Sequence, residues 1–121
     1  MSKRSVARRR CKEDRSGYKA MWLFAMFDLP VVSKEQRKRA TQFRKHLLAH
    51  GFCMLQYSVY ARHCPTEDSA AHYRVRVESD LPAEGQVRLL SVTDRQFGKM
   101  TVFTGNSSVP PEPTPVQLML F

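Results

Sequence analysis

The residues Met21-Trp22-Leu23-Phe24-Ala25-Met26-Phe27 are apolar without interruption, and no other stretch restricts the fold of this chain as much. A run of strand length with no polar face belongs to a strand buried on both sides, at the centre of a sheet. Asp28-Leu29-Pro30 stops it. With 121 residues the chain holds one domain with tails, because two cores do not fit at this length. Whatever covers both faces of that strand must come from the rest of this small domain or from a second copy of it.

The segment after Pro30 carries the punctuation of a helix. Ser33 can cap it, Gln36 stands where a capping box needs its return partner, and Gly51 can close the far end. At 100° per residue Ala40, Phe43 and Leu47 share one stripe, and Lys34, Lys38 and Lys45 share the opposite one, flanked by Arg37 and Arg44. From Phe52 to Cys64 the chain reads as extended, either as one strand or as two joined near Tyr57-Ser58. Thr66-Glu67-Asp68 opens a second helix with Ala70, Tyr73, Val77 and Leu81 on its stripe and Pro82 at its end. Val87 to Val92 is the next strand, and Asp94 to Lys99, with Gly98, reads as a hairpin loop into a strand from Met100 to Phe103 that Gly105 ends. Two amphipathic helices interleaved with four strands predict an α+β, ferredoxin-like sandwich: an antiparallel sheet with both helices on one face. Since Trp22, Phe24 and Met26 or their alternates then point to the bare face, a second copy is the expected cover, and a homodimer follows.

The flanks read differently from this domain at 21–105. Residues 1–20 carry Lys3, Arg4, Arg8, Arg9, Arg10, Lys12, Arg15 and Lys19 against Glu13 and Asp14, with no apolar period; they predict a mobile basic arm. Residues 106–115 hold Pro110, Pro111, Pro113 and Pro115 and read as an extended linker. The last segment, 116–121, ends in Val116, Leu118, Leu120 and Phe121. These are expected to dock as a strand on a sheet edge, the chain's own or a partner's.

Lys and Arg number 20 against 11 acidic residues, a net charge of +9. Such a surplus points to a polyanion, nucleic acid being the commonest. Cys11, Cys53 and Cys64 form no CxxC pair and no even disulfide framework, which fits reduced thiols in the cytoplasm. The apolar run is far short of a membrane span and lacks the cleavage site of a signal peptide.

The strongest candidate for chemistry is Asp28, an acid at the carboxyl end of a buried strand. A carboxylate there can hold Mg²⁺ through one oxygen plus waters, better still when a dimer axis brings two copies together. The competing role is that of an Asp accepting backbone hydrogen bonds in the turn before Ser33. The stripe of Lys34, Arg37, Lys38, Arg44 and Lys45 is a candidate phosphate track, since Glu35 is the one opposite charge on it. His46 and His50 lie one turn apart without the Glu of a zinc-protease helix, and Cys64 beside His63 has no third group to orient it. Both pairs read as ordinary side chains. Glycine-rich phosphate loops and the aromatic strand signature of an RNA recognition motif are absent.

Four pieces taken in order resemble the CRISPR-associated protein two family over about Met21 to Gly105: the strand ending Asp28-Leu29-Pro30, the basic helix ending His50-Gly51-Phe52, Leu55-Gln56-Tyr57-Ser58-Val59-Tyr60, and the run from Val87 through Thr93-Asp94-Arg95-Gln96-Phe97-Gly98. The resemblance implies a symmetric dimer whose C-terminal strand, here Val116 to Phe121, adds to the partner's sheet. It implies a bridge between dimers of the CRISPR-associated integrase (protein one) that holds duplex DNA during spacer acquisition. Some members are described as Mg²⁺-dependent nucleases in which the strand-ending Asp of each protomer holds a shared metal; by position that residue is Asp28. Lys34, Arg37 and Lys38 then fall where DNA-backbone contacts are expected, with Arg62 a further carry-over. The basic arm departs from shorter members of the family.

Two functions follow. One is a DNA-holding scaffold, placed first because a single carboxylate per protomer is a thin basis for phosphodiester hydrolysis. The other is a Mg²⁺-dependent endonuclease, acting on DNA or RNA through paired Asp28 residues. A free-standing, toxin-like ribonuclease of similar fold ranks third.

Overall fold

The computed structural model describes residues 19–115. Most of the basic arm read at 1–20, and the docking residues Val116, Leu118, Leu120 and Phe121, lie outside them. Four antiparallel strands form one sheet: β1 (Met21–Asp28), β2 (Cys53–Gln56), β3 (Val59–Cys64) and β4 (Gln86–Thr93), in the order β2-β3-β1-β4. Helix α1 (Lys34–Ala49) links β1 to β2, and α2 (Glu67–Ser79) links β3 to β4. This is the ferredoxin-like arrangement. Among the described residues no helix is long and apolar enough to cross a membrane.

The stretch 52–64 is two strands, turning at Tyr57-Ser58. The fourth sheet strand is therefore β3, and the expected strand at 100–103 does not join the sheet. Val102–Thr104 (β5) pairs instead with Ser107–Val109 (β6), which falls inside the stretch read as linker, in a separate two-stranded ribbon turning at Gly105 (φ 62°). The expected hairpin loop after β4 is also different. Asp94–Gly98 forms one helical turn (α3), started by a full capping box between Thr93 and Gln96. The spacing Thr93-x-x-Gln96 carries that signal, whereas the hairpin expectation rests on Gly98.

Alternation along β1 divides its side chains between two cores. Met21, Leu23, Ala25 and Phe27 face the helices and pack with Phe43, Leu47, Tyr60, Cys64, Ala70 and Val77. The caps are as expected. Ser33 Oγ accepts from the Gln36 amide (3.1 Å), Gln36 Oε1 accepts from the Ser33 amide (3.0 Å), and Thr66 Oγ1 accepts from the Ser69 amide (3.0 Å). Leu81 falls off the buried stripe, beyond the end of α2, and stays half exposed.

On the other face Trp22 stacks on Phe97 of α3, with ring centroids 4.0 Å apart and planes within 10°. Ala61, Phe24, Val92 and Met100 complete this second cluster. The chain thus covers the Trp22 end of the face that was assigned to a second copy. Leu90, opposite Phe24 on β4, is left 50% exposed. Asp94 anchors the arrangement: its Oδ1 accepts from Trp22 Nε1 (2.8 Å) and from Thr114 Oγ1 (3.2 Å), and its amide donates to the Ala20 carbonyl (2.9 Å).

His63, opposite Trp22, is buried and, among the described residues, has no hydrogen-bond partner at either ring nitrogen, its Nε2 standing 3.7 Å from Asp94 Oδ1. Burial lowers its pKa below the ordinary 6.5; Asp94 opposes that shift and Arg62 adds to it. A histidine held neutral in the fold binds fewer protons than its unfolded counterpart, so its contribution is complete above pH 6.5 and is lost as pH falls from there toward the lowered value. Thermal melts between pH 7.5 and 5 should show wild type losing more stability than His63→Gln over that window. Equal slopes in the two proteins would contradict the assignment.

Candidate nucleic-acid interface

Asp28 stands where the burial of β1 ends. By alternation it shares the face of Trp22, Phe24 and Met26, and its partner on β4 is Gln86. The Phe27 amide donates to the Ser58 carbonyl (3.0 Å), extending the β1–β3 register by one residue beyond the Met26–Val59 pair. The end of β1 thus lies beside the β2–β3 turn at Tyr57-Ser58. Asp28 is exposed, and among the described residues no hydrogen bond or ion pair engages its carboxylate. Nor does the turn before Ser33 call on it. The amides of Val32 and Ser33 go to Gln36 Oε1 (3.0 Å each), and the carbonyls of Val31 and Val32 accept from Arg37 Nη1 (3.2 and 2.8 Å).

Behind Asp28 the backbone is tightly packed. Gly85, with φ at +94°, lies so close that a Cβ there would stand 2.8 Å from the Asp28 carbonyl oxygen. Strand pairing on both edges and this contact place the end of β1 with little freedom. Arg88, exposed on the face Asp28 shares, donates from Nε to Gln86 Oε1 (3.0 Å) beside it. The alternation of β4 marks Arg88 as outward-facing, a signal the helix-centred reading of the charge passed over.

The cationic stripe separates into groups with different roles. Lys34, Lys38 and Lys45 are exposed and, among the described residues, form no ion pair. Arg37 is exposed, but its guanidinium braces the turn before α1 as just described. Arg39, off the expected stripe, pairs with Glu84 at 3.0 Å. Arg44 is drawn inward, 4.3 Å from the Tyr57 ring centroid and 5.6 Å from that of Phe27. Arg62 is held within the fold. Its Nε donates to the His50 carbonyl at the end of α1 (2.7 Å), its Nη1 to the His63 carbonyl (2.6 Å), and its guanidinium lies 3.7 Å over Tyr73. Three lysines are thus open to phosphate, whereas Arg62 closes a helix end.

The remaining candidates resolve as ordinary side chains. His50 Nε2 lies 3.2 Å and His46 Nδ1 3.8 Å from Asp80 Oδ2, joining the ends of the two long helices. Cys64 is buried, its thiol pushed up chiefly by that burial, which disfavours a thiolate. Among the described residues no cluster of three His, Cys, Asp or Glu side chains could hold a metal ion. Mg²⁺ asks for less, one or two carboxylates with water and phosphate oxygens filling the octahedron. Asp28 fits as one such donor.

A family model described as "CRISPR associated protein Cas2" matches residues 21–100. A protein of Parvibaculum lavamentivorans named CRISPR-associated endoribonuclease Cas2 is 46% identical over 101 residues, which are 84% of this chain and the relative's full length. One of Flavobacterium psychrophilum with the same name is 38% identical over 104 residues, 86% of this chain and 90% of the relative. A Rhodospirillum rubrum protein named CRISPR-associated endoribonuclease Cas2 2 is 46% identical over 109 residues, 87% and 97% of the two chains.

Replacing Gly85 by Ala puts a methyl group against the Asp28 carbonyl in a backbone region that L-residues avoid. The expected cost is about 1–3 kcal/mol, seen as a lower melting temperature. Gly98→Ala, where a Cβ meets nothing within 4 Å, is the control and should melt close to wild type.

Proposed function

The chain belongs to the CRISPR-associated protein Cas2 family, and we propose that it is a nucleic-acid-binding homodimer of a CRISPR system that cuts RNA with Mg²⁺ held at paired Asp28 residues. The observation that carries this reading is the Asp28 carboxylate: exposed, unengaged among the described residues, and fixed at the end of the central strand. A structural aspartate would be satisfied by the turn, and this one is not. The relatives' names, CRISPR-associated endoribonuclease Cas2, favour RNA as substrate. Together these reverse the preference for the scaffold.

Each residue then has a task. Lys34, Lys38 and Lys45 attract the phosphate backbone along one face of α1 without sequence preference. Gly85 and the two strand pairings hold Asp28 in place, and Asp28 with the Asp28 of a second copy would hold the ion. Bound Mg²⁺ supplies neutralising charge on the phosphate and a more acidic water. Arg88, through Gln86, adds positive charge on the Asp28 face of the sheet.

A second reading is the non-catalytic bridge between integrase dimers, holding duplex DNA for spacer acquisition in the cytoplasm. Its support is that the open lysines need no carboxylate to bind a duplex. In that reading Val116, Leu118, Leu120 and Phe121 dock on the partner's sheet, and Arg62 acts only through the fold.

Wild type and Asp28→Ala, prepared identically, should be compared on labelled single-stranded RNA and duplex DNA. The nuclease reading expects Mg²⁺-dependent RNA cleavage that EDTA stops and that Asp28→Ala slows about a hundredfold or more, with binding preserved. Equal cleavage by both proteins, or none with duplex binding intact, would favour the bridge. In solution scattering the dimer should appear at twice the 14.0 kDa of one chain; a single 14.0 kDa species at micromolar concentration would remove it.

A further inference from the structure

Tyr57 is a large aromatic residue at the tip of the β2–β3 turn, 70% exposed. Exposure alone says little, since turns often carry a single aromatic. What stands behind the ring is unusual. The Arg44 guanidinium lies 4.3 Å from its centroid, and on its inner side the same guanidinium meets the buried Phe27 ring at 5.6 Å. Phe27, Arg44 and Tyr57 thus form a stack that runs outward from the core to a ring left largely in solvent.

The stack is more than the turn needs. The turn is already closed by the Val59–Gln56 pair and by the Phe27 amide on the Ser58 carbonyl. Arg44 is also drawn in at a cost, since among the described residues its buried Nε has no hydrogen-bond partner; an arginine at this helical position could instead lie in water. A buried, unpaired N–H opposes folding, and contact with two aromatic faces offsets it. The outcome is a rigid, positively backed aromatic platform whose outer member is open.

Its position gives it an occupant. The turn that carries Tyr57 is bonded at Ser58 to Phe27 of β1, and Arg44 comes from the helix that presents Lys38 and Lys45. We propose that Tyr57, held by Arg44, stacks one unpaired nucleobase of a strand whose phosphates lie on the α1 lysines. This inference rests on the nucleic-acid reading above and adds to it a stacking residue; the ring takes a base of a single strand or a frayed end, because bases inside a duplex are stacked already. An aromatic ring takes any base this way, and guanidinium contact reinforces it. The positive surroundings favour a polyanion over a second, equally positive copy of the chain as the partner for this surface.

The test is binding by fluorescence anisotropy at fixed salt, with wild type, Tyr57→Ala, Tyr57→Phe and Arg44→Gln, on labelled single-stranded RNA and on a closed dumbbell duplex without free ends. Thermal melts identify any variant that fails to fold, and Tyr57→Phe keeps the stack while removing only the hydroxyl. Tyr57→Ala should weaken single-strand binding about tenfold, the equivalent of one stacked base. Tyr57→Phe should stay within about twofold of wild type, Arg44→Gln should fall between them, and dumbbell binding should not move. A folded Tyr57→Ala that binds single strands like wild type overturns the platform alone, as does one that weakens both ligands equally. A Tyr57→Ala that changes only the oligomeric mass assigns the ring to protein contact and also overturns it. If wild type binds neither ligand, the nucleic-acid reading falls first and the platform with it.

Discussion

Strand β1 is paired along both edges and packed on both faces, so almost every other element answers to its requirements. Its helix-facing residues, Met21, Leu23, Ala25 and Phe27, need a layer of apolar side chains above them, which α1 and α2 supply. Its other face carries Trp22, whose ring needs a stacking partner and whose N–H needs an acceptor if it is to be buried. Phe97 meets the first need and Asp94 the second, and both sit on α3. The short helix is therefore placed by the chemistry of one indole, and Asp94 draws Ala20 and Thr114 into the same arrangement. Burial along β1 ends at Asp28, so the first carboxylate of the central strand is also its first exposed residue.

The elements with a repeating signal were legible. An unbroken apolar run could only be a central strand, and the capping residues of α1 and α2 fell at Ser33 and Thr66, where the structure has them. Sheet membership was less legible, because it depends on pairing over long sequence distances. Val102 to Thr104 has the composition of a strand, but the turn at Gly105 offers a nearer partner in Ser107 to Val109 than the outer edge of β4. Thr93 to Gly98 misled for a local reason. A glycine near polar residues suggests a hairpin, whereas the Thr93–Gln96 capping box and the need to bury Phe97 beside Trp22 favour a helical turn. The position of Asp28 at a strand end was readable, but its freedom from the turn was not, since that depends on Gln36 and Arg37 satisfying the turn first.

The cations show the same division between placement and use. Helical spacing put Arg44 on the lysine side of α1, which is true of its Cα. Its side chain is long enough to reach two rings, one of them in a turn distant in sequence, and periodicity has no means of anticipating that. Arg62 makes the point more sharply. Gly51 adopts a positive φ to end α1, and the Arg62 Nε then reaches the His50 carbonyl that the helix end leaves available. A guanidinium with planar donors is suited to such a task, whereas the lysines, as point charges on flexible stems, stay in solvent. Counting positive charge therefore overstates the phosphate track on α1 and understates it on β4, where Arg88 faces outward beside Gln86.

A catalytic site that needs a carboxylate from each of two chains sets a demanding condition, because an error of about an ångström in either one is costly to rate. Loops rarely meet it. Here the carboxylate is carried at the end of a strand whose neighbours on both sides fix its direction, and Gly85 removes the remaining slack by packing against the Asp28 carbonyl. In the proposed dimer, whatever contact registers the two sheets also registers the two Asp28 residues, without any separate device to align them. The same economy applies to the nucleic acid. The turn that carries Tyr57 is bonded to Phe27, the residue before Asp28, so a base resting on that ring would have its phosphates held at a constant offset from the carboxylate. Alignment of substrate and alignment of the two protomers then both derive from one buried strand.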